Sequence, residues 1–232
     1  MNRVTKCIAL GALATLIEME PIVAAQILNG GFEVPDLTPS GFQTIGVGGE
    51  PAGLGWTVES GTVDVATLPV SPFILYSAFE GQQGLDLNGV GPGEIFQDFA
   101  TVPGQNYALS FAYSGNPLEG GGQSANVSLT DVGLDTLLLT SEVSHVTATN
   151  NPPDADWMLF SNDFIAQGTS TRLAFASTNA FQGGIVLDAI AVDVIPAPAT
   201  SSILAVALCG LERTTQHPST HRAGVTESGM AA

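Results

Sequence analysis

Short stretches of alternating apolar and polar residues restrict the fold of this chain more than any other feature. In the clearest of them, residues 107–113, tyrosine, leucine and phenylalanine alternate with alanine and serine. A period of two sends successive side chains to opposite faces of a β-strand, so this stretch predicts a strand with one buried face. Further strands are predicted near Gly61–Ala66, Gly84–Leu87, Glu94–Ala100, Ala125–Thr130, Leu134–Val143, Met158–Ala166, Arg172–Ser177 and Ile185–Val194.

Turn-forming residues occupy the intervals between these stretches, and the chain has 27 Gly and 14 Pro in 232 residues. Between the two chain ends no stretch carries a sustained 3.6-residue apolar repeat, which argues against long helices. We therefore predict an all-β sandwich of about nine or ten strands in two sheets. In the last strand, the alternation predicts that Val186, Asp188, Ile190, Val192 and Val194 share one face.

The charge balance excludes one class of partner. The chain has 5 Lys and Arg against 22 Asp and Glu, which gives a formal net charge of −17. Between Gln26 and Ile195 the one basic residue is Arg172. Proteins bind nucleic acid by neutralising phosphates with clustered Lys and Arg, so no nucleic-acid partner is expected. An acidic domain of this kind repels itself unless cations relieve the charge, and Ca²⁺ is the candidate for an exported protein.

The first 25 residues have the organisation of a helical signal peptide. Arg3 and Lys6 precede the apolar run Cys7–Ile17, and the small residues Val23–Ala25 provide a cleavage site before Gln26. An uncleaved membrane anchor or a buried helix is the alternative, but the apolar run is short for a bilayer span. We expect a secreted or cell-surface protein whose folded domain covers residues 26–195.

The other end combines a proline-rich stretch with a short apolar run. Residues 195–198 read Ile-Pro-Ala-Pro, residues 199–211 are largely small and apolar, and Glu212 and Arg213 follow. This order resembles a degenerate form of the bacterial PEP-CTERM sorting signal. The resemblance implies a short hydrophobic helix within residues 196–213 and transient contact with a membrane, while a plain linker is the alternative. The polar residues 214–232 are expected to be disordered.

Several motifs follow one another through the domain. They are Asn29–Glu33, Gly55–Val58, Gly61–Asp64, Gly84–Gly89, Pro92–Gln97, Pro103–Tyr107, Thr171–Phe175 and Gly184–Asp188. In this order they resemble the bacterial choice-of-anchor C family, which is similar to a plant cell-wall domain of unknown function. The resemblance implies a galactose-binding-like jelly-roll β-sandwich, association with polysaccharide or cell-wall material, and sorting to the bacterial surface.

The same resemblance implies a structural calcium ion. In galactose-binding-like carbohydrate modules, a Glu after an early Asn-Gly turn and an Asp on the last strand often hold one Ca²⁺. Here those positions are Glu33 and Asp188. Two carboxylates with backbone carbonyls supply the hard oxygen ligands that Ca²⁺ requires. The alternative is that both residues are solvated surface acids.

Aromatic and amide side chains are the candidates for contact with a glycan. Sugar rings present apolar C–H faces that aromatic rings can cover, so Trp56, Trp157 and Tyr76 are candidate platforms. Asn88 is a candidate hydrogen-bonding partner for hydroxyl groups. The alternative for each aromatic residue is a place in the core, where aromatic side chains of sandwich strands usually lie.

The sequence lacks the motifs of the common hydrolases. It contains no G-x-S-x-G and no H-E-x-x-H motif, and the domain has neither Cys nor Lys. Two carboxylates can hydrolyse a glycosidic bond, but no pair here is singled out. We predict a non-catalytic protein that binds extracellular polysaccharide or cell-wall glycan. The first alternative is a structural or adhesion protein with a protein partner, and the second is a glycosidase.

Overall fold

A computed structural model of the chain describes residues 27–39, 41–69, 76–117, 121–147 and 155–196. Every regular element in these ranges is a strand, and no helix there is long and apolar enough to span a membrane. The predicted signal peptide and almost all of the two predicted C-terminal segments lie outside the described residues. The strands are β1 (Phe42–Gly46), β2 (Thr57–Ser60), β3 (Thr62–Thr67), β4 (Gln83–Asp86), β5 (Glu94–Ala100), β6 (Asn106–Gly115), β7 (Gly121–Asp131), β8 (Thr136–Thr147), β9 (Met158–Ile165), β10 (Ser170–Ser177) and β11 (Ile185–Val194).

The strands form two sheets that face each other, which confirms the predicted all-β sandwich. The first sheet has six strands in the order β1-β3-β4-β11-β6-β9, and the second has five in the order β2-β5-β10-β7-β8. All neighbouring strands are antiparallel. The alternation did not predict β1 and β2, which have only 5 and 4 residues. Each of these two strands buries a single residue, so no period of two stands out.

The facing sides of the two sheets supply the core. In β6, Tyr107, Leu109 and Phe111 point inward as predicted, and none is more than 1% exposed. The ring of Phe111 meets that of Phe175 from the other sheet edge to face, with centroids 5.0 Å apart. Removing this apolar surface from water is the main favourable contribution to folding.

The last strand departs from the expected alternation. Asp188 pairs with Ala112 of β6 and Ala191 pairs with Ser110, so β11 carries one extra residue between these pairs. A β-bulge of this kind shifts the alternation by one position. Asp188 therefore lies on the outer face of the six-stranded sheet, the face directed away from the second sheet. Ile190 and Val192 enter the core, and the prediction that they share a face with Asp188 is wrong.

Side-chain amides hold the N-terminal segment, residues 27–39, which contains no strand. The side chain of Gln97, in β5, accepts a hydrogen bond from the backbone N–H of Leu28 at 2.7 Å. Its amide group donates to the carbonyls of Leu28 at 3.0 Å and Gly55 at 2.8 Å. One buried amide thus replaces the backbone pairing that a strand would have provided.

Gln83, in β4, holds the second half of that segment in the same way. Its side-chain oxygen accepts a hydrogen bond from the N–H of Leu37 at 2.7 Å. Its side-chain nitrogen donates to the carbonyls of Phe32 at 2.6 Å and Pro35 at 2.8 Å. The side chain of Gln83 is fully buried, so water does not compete for these three bonds.

We predict that Gln83→Leu destabilises the protein by about 2–4 kcal/mol, because it leaves two carbonyls and one N–H without partners at a buried position. Chemical denaturation of the variant and the wild type measures the difference. Gln82→Leu is the matched control, because Gln82 directly precedes Gln83 and its side chain is exposed. Equal stability of the two variants would contradict a holding role for Gln83.

Candidate functional site

A covering segment, residues 76–82, lies against the outer face of the six-stranded sheet. Tyr76 packs there with Ala66, Leu68 and Val186 in an apolar cluster separate from the main core. The Tyr76 hydroxyl donates a hydrogen bond to the carbonyl of Gly115, at the end of β6, at 3.3 Å. The covering segment is therefore attached to the sheet by apolar contact and by a directed hydrogen bond.

Two aromatic rings meet at the surface of the covering segment. The Trp157 indole N–H donates to the carbonyl of Ser77 at 3.1 Å. Its ring stands edge-on to Tyr76 below, with centroids 5.9 Å apart, and to Phe79 beside it, at 6.1 Å. Phe79 is 46% exposed and Trp157 is partly exposed. These two residues, called the aromatic pair below, present apolar ring surface to solvent in a fixed arrangement.

Asp188 lies beneath the covering segment, and its side chain has no exposed surface. One carboxylate oxygen, Oδ2, accepts hydrogen bonds from the N–H groups of Phe79 at 2.8 Å and Glu80 at 3.1 Å. The other, Oδ1, accepts one from Ala189 at 2.7 Å. Burial raises the pKa of this carboxyl to about 7, and the nearby Glu80 carboxylate acts in the same direction.

Glu33 holds the other end of the covering segment. Its Oε1 accepts hydrogen bonds from the N–H groups of Gln82 at 2.8 Å and Gln83 at 3.0 Å. The structure therefore brings the two predicted calcium ligands, Glu33 and Asp188, to the same stretch of chain. It uses both carboxylates to accept backbone hydrogen bonds, and the calcium ion itself stays a prediction.

The carboxylate of Glu80 was not identified from the sequence. A Cβ placed on Gly31 would lie 2.9 Å from Oε1 of Glu80 and 3.6 Å from Oδ1 of Asp188. Two carboxylate oxygens therefore border the space that glycine leaves open, and carboxylate oxygens are ligands of the hard type that Ca²⁺ prefers. Within the described ranges, no three or more His, Cys, Asp or Glu side chains are grouped to hold a metal. Further ligands would be neutral oxygens, from backbone carbonyls, side-chain hydroxyls or amides, or water.

The structure corrects two of the predicted sugar platforms. Trp56 is 2% exposed and its ring lies between Phe32 and Phe175 in the main core. Tyr76 is 1% exposed beneath Trp157. Neither ring is accessible to a ligand, because both side chains fill the interior. The alternative of core packing was the right one for these two residues, whereas Trp157 reaches the surface.

Asn88, the predicted polar contact, is 1% exposed and serves the scaffold. Its side-chain nitrogen donates to the carbonyl of Phe181 at 2.6 Å, and its backbone N–H donates to Asp86 at 2.8 Å. The same carboxylate accepts hydrogen bonds from Gly184 at 2.9 Å and from the Asn116 side chain at 2.6 Å. Asp86 thus joins three loops, and burial raises its pKa to about 7 despite these bonds.

We predict that Asp86 and Asp188 make the protein more stable at pH 5 than at pH 8 in calcium-free buffer. Their folded pKa values, about 7, exceed the unfolded value of about 3.9. The folded state therefore binds more protons than the unfolded state in this interval, and stability is lost as the pH rises through 7. Thermal unfolding across this pH range measures the effect.

Asp86→Asn isolates the contribution of Asp86, because asparagine has nearly the same size as aspartate but does not titrate. We expect the difference in melting temperature between pH 5 and pH 8 to shrink in this variant. Asp193→Asn removes one charge from an exposed position of β11 and is the matched control. A pH dependence that is the same in both variants would show that Asp86 does not contribute to it.

Three solved structures to which the chain is similar come from carbohydrate-active proteins. TmCBM61 in complex with β-1,4-galactotriose is 15% identical, and the match covers 72% of this chain and 96% of that one, with a TM-score of 0.42. The CBM22-1 xylan-binding domain from Paenibacillus barcinonensis is 14% identical, with 68% and 97% covered and a TM-score of 0.43. An arabinose-bound α-L-arabinofuranosidase is 13% identical, with 75% and 27% covered and a TM-score of 0.44. TM-scores below 0.5 do not establish a shared ligand or activity.

At the level of sequence, the chain is similar to Halomucin from Haloquadratum walsbyi (strain DSM 16790 / HBSQ001). The two are 29% identical over 141 residues, which is 60% of this chain and 1% of that protein. The chain thus spans a very small part of this relative. A family model described as "Protein of unknown function (DUF642)" matches residues 25–193. This match covers well over half of the chain, and the protein belongs to the DUF642 family.

Proposed function

We propose that this is an exported, non-catalytic protein that binds extracellular polysaccharide or cell-wall glycan through the aromatic pair, Phe79 and Trp157. The observation that carries the proposal is the exposure of two adjoining rings, one on the covering segment and the other directly before β9, both attached to the same sheet. A sugar ring has apolar C–H faces that bury well on such rings while its hydroxyl groups stay solvated. Attachment lowers the entropy that the rings lose when a ligand binds.

The polar surroundings of the aromatic pair favour a neutral glycan. Glu80 is exposed beside Phe79, and Arg172, the one basic residue of the domain, is paired with Asp98 on the other sheet at 2.7 Å. An anionic ligand would therefore meet negative charge without a compensating cation. A neutral polysaccharide avoids this repulsion.

A structural calcium ion is part of the proposal. It would be held by Asp188 and Glu80 above Gly31, with Glu33 fixing the next residues of the covering segment. Bound there, the ion would offset the negative charge of two carboxylates, one of them fully buried, which otherwise repel each other. The proposal also includes the choice-of-anchor C assignment and a degenerate PEP-CTERM-like signal, and with them a secreted or surface location in a bacterium.

A second function, that of a structural or adhesion protein with a protein partner, is favoured by one observation. β8 is the longest strand, at 12 residues, and it lies at the edge of its sheet. On it, Leu137 is 56% exposed and Val146 is 81% exposed. An edge strand of this kind can accept a strand from another chain. Recovery of one protein partner from glycan-free matrix would favour this function.

We predict that the protein binds a neutral polysaccharide on a glycan array in the presence of Ca²⁺, and that Phe79→Ala weakens this binding about tenfold, the effect of one stacked ring. Isothermal titration with the best ligand gives the affinities. Phe42→Ala is the matched control, because Phe42 is a phenylalanine 57% exposed on β1 that does not belong to the aromatic pair. Absence of any glycan ligand contradicts the function, and equal affinity of the two variants contradicts the site.

We predict that Ca²⁺ raises the melting temperature relative to excess chelator, because a ligand that binds only the folded state stabilises it by mass action. Glu80→Gln should reduce this rise, since it removes one charged ligand at an exposed position where little else changes. Glu59→Gln, exposed on β2, is the control. If Ca²⁺ raises the melting temperature of both variants equally, the ion does not bind at Glu80 and Asp188.

A further inference from the structure

Asp131 is a buried carboxylate that the candidate functional site does not use. It ends β7, on the same strand face as Leu129, and both side chains are 0% exposed. Its Oδ1 accepts a hydrogen bond from the N–H of Leu134 in the turn to β8 at 2.8 Å. Its other oxygen, Oδ2, has no hydrogen-bonding partner among the described residues. Among the buried carboxylates in the described part of the chain, Asp86 and Asp188 have both oxygens bonded, and Asp131 differs from them in this respect.

Three residues with oxygen atoms that can bind a cation, Thr171, Thr101 and Gly168, form a connected group next to this carboxylate. Thr171 of β10 is the direct cross-strand partner of Asp131 and is also 0% exposed. The Thr171 hydroxyl lies 3.1 Å from that of Thr101, which in turn lies 3.0 Å from the carbonyl oxygen of Gly168. A Cβ on Gly168 would overlap the Asp131 carboxylate, so glycine is what leaves room for it. We call these four residues the Asp131 cluster.

The protons of the two hydroxyl groups are already committed. Thr101 donates its one proton to the carbonyl of Gly168. The bond between Thr101 and Thr171 must therefore be donated by Thr171, because a hydroxyl has a single proton. Neither hydroxyl has a proton left for Oδ2 of Asp131. Thr171 still presents a lone pair, so the cluster offers acceptor oxygens and lacks a donor.

Within the described residues, no Lys or Arg side chain is available to balance this carboxylate. Arg172 is the one Lys or Arg of the described residues, and it projects from the opposite face of β10. There it bonds Asp98 and stacks over the ring of Phe96, with 3.7 Å between the guanidinium carbon and the ring centroid. An ionised carboxylate buried without a counter-charge is strongly unfavourable, and a water molecule would not supply that charge.

We propose that the Asp131 cluster binds a hard cation, Ca²⁺ in an exported protein, at the end of the sandwich formed by the β7–β8 turn and residues 101 and 168. The ligands are Oδ2 of Asp131, the hydroxyl oxygens of Thr171 and Thr101, and the carbonyl of Gly168. Carboxylate, hydroxyl and carbonyl oxygens are the ligand types that Ca²⁺ accepts. With a single carboxylate the site is weak, in the range of roughly 0.1–1 mM that extracellular modules use.

Counting bound metal tests the proposal. The full chain and its variants are dialysed against millimolar Ca²⁺ in buffered salt, and bound calcium is measured by atomic emission. We expect Asp131→Asn to bind about one Ca²⁺ fewer than the wild type, because the amide keeps the bond to Leu134 but removes the charge. Asp135→Asn is the matched control, since Asp135 is exposed in the same turn and asparagine tolerates its φ of 50°.

Equal calcium content of Asp131→Asn and Asp135→Asn overturns the proposal. If Asp131→Asn does not fold, Thr171→Val decides: loss of one ligand should weaken calcium binding about tenfold, and unchanged binding overturns the proposal. Asp188→Asn should keep the ion at Asp131. The two calcium sites therefore fail or stand independently.

Discussion

Hydrogen bonds from buried side chains to the backbone hold the parts of this protein that lie outside its sheets. Gln97 and Gln83 bind the N-terminal segment, Asp86 binds three loops, and Asp188 and Glu33 bind the covering segment. Within the two sheets, backbone pairing and apolar packing hold the strands together without these bonds. The segments that carry the candidate site do require them, because they have no ladder of their own. Each unmade bond of this kind at a buried position would carry the full cost of desolvation.

The use of carboxylates for this purpose has an electrostatic consequence. Three carboxylates, those of Asp86, Asp131 and Asp188, are buried. The described residues contain a single arginine, Arg172, which is paired with Asp98 on the outer side of the second sheet. Within the described part of the chain, no other Lys or Arg is left to offset the buried negative charge. A carboxylate in this position accepts several N–H groups, takes up a proton, or binds a cation. Asp86 and Asp188 follow the first route with both oxygens, and the pKa of each is nevertheless raised to about 7. Burial thus outweighs the hydrogen bonds.

Most of the fold could be predicted from the sequence, and the candidate site only in part. Nine strands could be predicted from the alternation of apolar and polar residues, because each has one face in the main core. The bulge at residue 189 could not be predicted, since an extra residue in β11 changes the face of Ile190 without a change in composition. The burial of Trp56 and Tyr76 was an open alternative, because an aromatic residue suits the core and a binding surface equally well. Glu80 is one acid among many in the sequence, and only its place above Gly31 distinguishes it.

The bulge also decides how the candidate site works as a unit. Without the extra residue, Asp188 and Ile190 would lie on the same face, and either an aspartate would enter the core or an isoleucine would leave it. With it, Asp188 stays under the covering segment and bonds the N–H of Phe79, whose own ring is half of the aromatic pair. The carboxylate of Asp188 therefore bonds the backbone of the same residue, Phe79, whose ring forms half of the aromatic pair. Any change in the charge of Asp188, by a proton or by a cation, acts directly on the backbone that positions the ring. In the proposed function, ion binding and glycan binding are therefore linked, because each requires the same arrangement of residues 79 and 80.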